Sequence, residues 1–244
     1  MNSHHVRLNY REIDVAKPRC GFCGHNSGQR EVQRGFSLVE ILIAMSVGMV
    51  VLGLVYNVFT LLSKQFTKQE VVVEMQQNAR MAMDIITREI HLAGYNPQRT
   101  LTKCSGAMEP ASPSTTCVGI RSASAGSISL ASDLDGDGDL TADDTNSNEN
   151  IVYDRGESPA GSGIYALRRK SNNGNPQPAI ENLDFLGFSY SDAGGGTPAD
   201  LANIRKIRIT IRVKAAKADP AYPTNGGFRT YTLVSDVTPR NLGL

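Results

Sequence analysis

The sequence is poor in the residues from which catalytic and nucleic-acid-binding sites are usually built. Tryptophan is absent, histidine occurs four times, and 25 basic against 24 acidic side chains leave a net charge of +1. A charge so close to zero excludes binding to nucleic acid through a broadly basic surface. His4, His5 and His25 lie near the N-terminus, so a triad-type site in the rest of the chain would have to use His91. We interpret His91 as a solvated histidine on a helix face and expect no enzymatic activity.

One long apolar run interrupts this composition, at residues 41–62, and it contains no charged side chain. At helical rise it measures about 33 Å, enough to cross a hydrocarbon core of about 30 Å. The run exceeds the apolar region of a cleaved secretory signal, which has about 7 to 15 residues. Arg30 and Arg34 precede it, so the positive-inside rule predicts a single pass with a cytoplasmic N-terminus. The rest of the chain is then expected across the membrane.

Glu40 stands at the edge of this apolar run. An ionised carboxylate there costs about 2.5 kcal/mol or more unless it is paired, and no lysine or arginine follows within the next helical turns. Cleavage between Gly35 and Phe36 would create an α-amino group one helical turn away, on this chain or on a neighbour. The simpler interpretation is an uncleaved signal anchor with an interfacial glutamate.

The string Arg34-Gly35-Phe36-Ser37-Leu38-Val39-Glu40 resembles the class III signal of type IV prepilins and pseudopilins. In that signal a basic residue, a glycine, an aromatic residue and a glutamate at the fifth mature position precede the apolar stretch. The resemblance implies that a prepilin peptidase cleaves after Gly35 on the cytoplasmic face and N-methylates Phe36. It also implies that Glu40 pairs with the N-terminal amine of an adjacent subunit during filament assembly.

The pattern beyond the membrane segment predicts that the helix continues. No proline occurs between Phe36 and Asn96, and apolar residues recur three and four positions apart from Val72 to Ala93. Gly94 followed by Pro97 is a strong stop signal. We therefore predict one helix of roughly sixty residues, about 85 Å long, whose second half is amphipathic.

The remaining sequence alternates between short strand patterns and turn-rich stretches. The clearest strand is Lys206–Lys214, in which four aliphatic side chains point one way and basic or polar side chains the other. The fold class predicted is α+β, with the long N-terminal helix packed on a C-terminal antiparallel sheet, as in pilins. The other expected strands are Ser127–Ala131, Asn150–Asp154, Gly163–Arg168, Phe185–Ser191 and Phe228–Val234.

Two further stretches make the resemblance to type IV pilins more specific. Glu74–Tyr95, with its arginine-rich helix end, and Val237–Asn241 resemble the PilW group of minor pilins, although J-type pseudopilins of type II secretion share the helix end. The resemblance implies a leader at 1–35, a transmembrane and assembly segment at 36–62, an amphipathic half-helix at 63–94 and a periplasmic head at 95–244. Asn57 lies near the position where major pilins commonly carry a proline, which favours a minor subunit.

The expected function is that of a minor pilin, anchored in the inner membrane and then incorporated into or priming a type IV pilus. The alternative is a J-type minor pseudopilin of a type II secretion system. The implied partners are the prepilin peptidase, the major pilin and other minor pilins, the inner-membrane assembly platform and membrane lipid, with no nucleic acid. The sequence leaves open whether the subunit lies at the tip or along the shaft.

The four cysteines separate by compartment. Cys20 and Cys23 belong to the leader, where with His25 they supply fewer ligands than a closed zinc site needs. An unstructured leader or a misassigned start codon is the plainer account. Cys104 and Cys117 would be exported, and an even pair in an oxidising compartment predicts a disulfide, with two free thiols as the alternative.

An acidic stretch in the head is similar to a calcium-binding loop of the EF type. Aspartates at loop positions one, three and five, a glycine at six and a carboxylate at twelve follow the spacing that wraps oxygen ligands around Ca²⁺. A solvated acidic turn is the alternative, since aspartate replaces the usual final glutamate and no paired helices flank the loop. The predicted ligands are Asp133, Asp135, Asp137, Asp139 through its carbonyl, Thr141 and Asp144.

Overall fold

The computed structural model describes residues 35–110, 116–140, 148–172 and 174–242. The chain divides into two compact units, with the boundary between Val55 and Tyr56. The predicted leader, including Cys20 and Cys23, lies outside the described residues apart from Gly35. The described part of the first unit is residues 35–55, and that of the second unit begins at Tyr56.

One helix, α1, runs from Leu38 to Leu92 and contains 55 residues. The expected single long helix is confirmed, within a few residues at either end. Gly94 stops the helix in a left-handed conformation, with φ +83°, which glycine adopts at little cost. Asn241 donates from Nδ2 to the carbonyl oxygen of His91 at 3.0 Å and thereby satisfies one of the carbonyls left without a partner at the helix end.

Nine strands follow α1 in the described residues and form two sheets. The first sheet has the order β1-β2-β3-β4-β5-β6 and the second the order β7-β8-β9. All pairs are antiparallel except β1 with β2, which is parallel. The strands are β1 Thr102–Lys103, β2 Cys117–Ala123, β3 Ser127–Ala131, β4 Asn150–Glu157, β5 Tyr165–Ser171, β6 Gln177–Glu181, β7 Leu183–Ser191, β8 Lys206–Lys214 and β9 Thr230–Val237.

The second unit has one main core, to which α1 and both sheets contribute. The face of α1 that enters it is built from six side chains at helical spacing: Met75, Ala79, Ala82, Met83, Ile86 and Ile90. Strand β8 supplies the opposite wall, because Ile207, Ile209, Ile211 and Val213 are at most 1% exposed. Its outer face carries Arg208 and Arg212, which form ion pairs with Asp236 on β9 and Asp184 on β7. The α+β expectation is confirmed, with two sheets where a single one was predicted.

Candidate functional sites: the N-terminal signal and the carboxylate loop

The described part of the N-terminal signal consists of a short non-helical segment and the first turn of α1. Residues 35–37 are not helical and α1 begins at Leu38. The backbone N–H groups of Glu40 and Ile41 donate to the carbonyl oxygen of Ser37 at 3.0 and 3.2 Å. The Gly35–Phe36 peptide bond thus lies just before the helix, and the Phe36 side chain is 81% exposed. An enzyme could reach this bond without unwinding a helical turn.

Glu40 lies in the first turn of α1 and is exposed. Among the residues that the structure describes, no cationic side chain forms an ion pair with it. Its negative charge is near the positive end of the helix dipole, which is favourable but worth only about 0.3 to 1 kcal/mol. A full positive charge would be a much stronger partner in a membrane.

The part of α1 that follows Glu40 carries a continuous apolar surface. Of the described chain, α1 alone is long and apolar enough to cross a membrane, and its most apolar stretch is not buried within the protein. Large side chains such as Met49 and Leu52, 74% and 69% exposed, enter no core formed by the described residues. Surface of this kind fits lipid or neighbouring apolar helices.

The carboxylate loop, residues 132–140, follows β3, and Glu149 directly precedes β4. Three of its predicted ligands come together: one carboxylate oxygen each of Asp133, Asp135 and Asp137 lies within 4.8 Å of the others, and of an oxygen of Glu149. Asp133 is fully buried and Glu149 is 2% exposed, whereas Asp135 and Asp137 are exposed. The carboxylates thus form a group with a buried floor and an open side.

Backbone hydrogen bonds give the loop its shape. Gly136 N–H donates to Asp133 Oδ1 at 2.8 Å, and Asp139 N–H donates to Asp137 Oδ1 at 2.9 Å. Gly136 and Gly138 both have left-handed backbones, with φ of +80° and +84°, which favours glycine at these two positions. The predicted ligands Thr141 and Asp144 lie outside the described residues.

Glu149 was not among the predicted ligands. It is brought to the loop by strand pairing: Ser132 N–H donates to the Glu149 carbonyl at 2.9 Å, and Leu134 N–H donates to Glu149 Oε1 at 3.0 Å. Burial raises the pKa of the Glu149 carboxyl above its ordinary value of 4.5, the Leu134 N–H opposes that rise, and the charges of Asp135 and Asp133 add to it. The signal that the sequence offered was a glutamate directly before the predicted strand that begins at Asn150.

Cys104 directly follows β1, and Cys117 is the first residue of β2. Their sulfur atoms are 2.04 Å apart, the length of a disulfide bond, and both side chains are buried. Cys104 N–H also donates to the Val118 carbonyl at 2.9 Å, so the bond joins the short parallel pair of β1 and β2.

His91 differs from the expectation of a fully solvated side chain. It is half-buried, and its Nδ1 atom is buried with no hydrogen-bond partner among the described residues. It lines a shallow surface depression with Thr87 and Ser235, and no cysteine or serine there forms a hydrogen bond with its ring in the described chain. This arrangement does not resemble a nucleophile and its base.

Comparison with known proteins fits the geometry of the N-terminus. Residues 31–56 match the family model described as the prokaryotic N-terminal methylation motif. The N-terminal part of the chain therefore carries a prepilin-type methylation motif. The chain is 35% identical over 63 residues to the pilin-like protein PilA3 of Thermus thermophilus, a match that covers 26% of this chain and spans about a quarter (27%) of that relative's length. A solved type IV-like pilin from Thermus thermophilus is 11% identical, with a TM-score of 0.38, covering 69% of this chain and 98% of its own.

Proposed function

We propose that this pilin-like chain is a minor pilin of a type IV pilus, of the PilW type. The observation that carries the proposal is the signal itself: the Gly35–Phe36 bond lies in an exposed, non-helical segment immediately before an apolar helix with a glutamate in its first turn. Cleavage after Gly35 by a prepilin peptidase, and methylation of the new amine of Phe36, convert a membrane protein into a filament subunit. The chain is the substrate in this chemistry and performs none itself.

Glu40 supplies the assembly step. In the membrane its carboxylate is unfavourable by about 2.5 kcal/mol or more without a partner. The Phe36 amine of the neighbouring subunit in the filament provides that partner. The two opposite charges meet only when the helices of the two subunits are in the correct register, so the ion pair favours that register. The exposed apolar surface of α1, which lipid covers before assembly, is then covered by the helices of other subunits.

The second stretch that resembles PilW proteins has a structural role consistent with the proposal. Asn241, at the end of Val237–Asn241, caps the carbonyls of His91 and Leu92 at the C-terminus of α1. The two resembling stretches therefore meet in space although they are about 150 positions apart. A motif of this kind fixes the helix end to β9, which is useful in a subunit that transmits force along a filament.

The proposed partners are the prepilin peptidase, the major pilin, other minor pilins and the assembly platform of the inner membrane. The protein is anchored there by a single pass, with the head in the periplasm, before it enters the pilus. A J-type pseudopilin of a type II secretion system is the second candidate, because the arginine-rich end of α1 suits both groups.

The experiment that separates the two candidates is deletion of the gene, with piliation and protein secretion measured in the same strain. A minor pilin predicts fewer or no surface pili, intact secretion, and a small amount of this protein relative to the major pilin in sheared wild-type pili. Lost secretion with normal pili would refute the proposal and favour the pseudopilin.

A further inference from the structure

We propose that the carboxylate loop binds a calcium ion, with Asp133, Asp135, Asp137 and Glu149 as ligands. This site goes beyond the proposed role in the pilus and does not depend on it. It also differs from the sequence prediction, because the glutamate that follows the loop joins the ligands.

The distances suit a single ion. One oxygen from each of the four side chains lies within 4.8 Å of the others, and two oxygens that bind the same Ca²⁺ at about 2.3 to 2.6 Å can be no further apart than roughly twice that length. Four carboxylates bring a formal charge of −4 into this small space. Like charges so close together repel one another unless a cation lies between them.

Asp133 gives independent support because one of its oxygens lacks a partner. Asp133 Oδ1 accepts from Gly136 N–H at 2.8 Å, whereas Oδ2 is buried and has no hydrogen-bond partner among the described residues. The residue is 0% exposed, so solvent water does not supply the missing hydrogen bond. A buried carboxylate oxygen without a hydrogen bond is unfavourable, and a coordinated cation removes the penalty.

Glu149 provides the second buried carboxylate, and no lysine or arginine in the described chain forms an ion pair with either it or Asp133. Its Oε1 atom accepts from Leu134 N–H, which holds the carboxylate over the loop. The exposed carboxylates of Asp135 and Asp137 close the group from the solvent side. Water molecules can complete the coordination there.

The ligand atoms of this group favour calcium over zinc and magnesium. All four ligands are carboxylate oxygens, with no histidine or cysteine in the group, which disfavours zinc and other softer metals. Magnesium prefers an octahedral shell and usually keeps several waters, whereas calcium accepts many protein oxygens in irregular geometry. Extracellular calcium modules have dissociation constants of about 0.1 to 1 mM, so calcium near 1 mM is the concentration at which binding is expected.

The ion would hold the loop against the chain that leaves α1. Gln98 donates to the Gly136 carbonyl, Asp133 N–H donates to the Tyr95 carbonyl at 2.9 Å, and a Cβ atom on Gly138 would lie 2.6 Å from Thr100 Oγ1. Because these contacts bind the loop to the residues after the helix, calcium is expected to stabilise the head.

The test is thermal unfolding and isothermal titration calorimetry of the full-length chain in detergent, first freed of divalent cations and then titrated with calcium chloride. The variants are Asp137→Asn and Glu149→Gln, which keep side-chain size and the acceptor for Leu134 N–H. Asp139→Asn is the matched control, since it removes one charge from the same loop but its carboxylate is not in the group.

We expect the wild type and Asp139→Asn to gain several degrees of melting temperature at about 1 mM calcium. Asp137→Asn and Glu149→Gln should bind about tenfold more weakly or worse, and without calcium they should melt at or above the wild-type temperature because a repelling charge is gone. That melting curve also shows that they are folded.

Three results would overturn the site. The first is no heat and no melting shift in the wild type up to millimolar calcium. The second is the same affinity in Glu149→Gln and Asp137→Asn as in Asp139→Asn. The third is an equal effect of magnesium at the same concentration.

Discussion

Reduction of the Cys104–Cys117 bond should destabilise the head by an amount that follows from its loop length. The cysteines are 13 positions apart, and in the chain-entropy treatment a loop of that size is worth about 3 kcal/mol. For a domain of 150 to 250 residues each kcal/mol corresponds to roughly 2 to 4 °C, so the melting temperature should fall by about 6 to 12 °C. That is a large part of a typical stability of about 5 to 15 kcal/mol.

The assay is urea or thermal unfolding of the detergent-solubilised chain carrying Cys20→Ser and Cys23→Ser, with and without reductant. In this background only Cys104 and Cys117 can respond. Reductant should lower the stability of this protein and have no effect on the same chain with Cys104→Ala and Cys117→Ala. Alkylation of both thiols in the folded, unreduced protein would refute the disulfide, and an unchanged melting temperature on reduction would refute the magnitude.

Two further predictions concern the two parts of α1. Glu40→Val should be cleaved normally but should assemble poorly, because the neighbouring amine has lost its partner. The measurement is the amount of the variant in sheared pili relative to the membrane fraction. Incorporation at the wild-type level would contradict the prediction. Ile86→Ala, which removes a side chain that is 0% exposed, should destabilise the head by about 2 to 5 kcal/mol. Met81→Ala on the same helix, 51% exposed, should change stability by less than about 0.5 kcal/mol. Equal effects of the two substitutions in urea unfolding would show that the face of α1 assigned to the core is incorrect.

The elements with strong periodicity were predictable from the sequence. Strand β8 has the predicted bounds, Lys206–Lys214, because its strict alternation buries one face and exposes the other. The helix was predictable because spacings of three and four persist to Gly94, where the backbone turns left-handed. In both cases a local pattern and the tertiary packing agree.

Three strands were missed, each because pairing rather than local pattern stabilises it. β1 has two residues and depends on its parallel partner β2. β2 begins with four consecutive buried residues and contains Gly119 at φ +118°, so it does not alternate. β6 contains Pro178, and a proline argues against a strand unless the strand lies at a sheet edge, as β6 does.

The carboxylate group was predictable only in part. The spacing of Asp133, Asp135 and Asp137 follows a local loop pattern, and these three carboxylates do meet. Glu149 lies 15 positions beyond Leu134, outside any loop template of twelve residues. The pairing of β3 with β4, in the register that places Ala131 opposite Asn150, returns it to the loop, and that register is a tertiary property.

The N-terminus of the mature protein tests the account of this chain most directly. The protein should be produced in bacteria with a prepilin peptidase, recovered from the membrane fraction, and analysed by intact-mass and N-terminal peptide mass spectrometry. We predict a chain that begins at Phe36 and carries one added methyl group on its amine, and an uncleaved, slower-migrating Gly35→Trp variant, because the peptidase must approach the backbone closely at Gly35. A wild-type chain that retains the residues before Phe36, or a Gly35→Trp variant of mature size, would contradict the assignment as a pilin precursor.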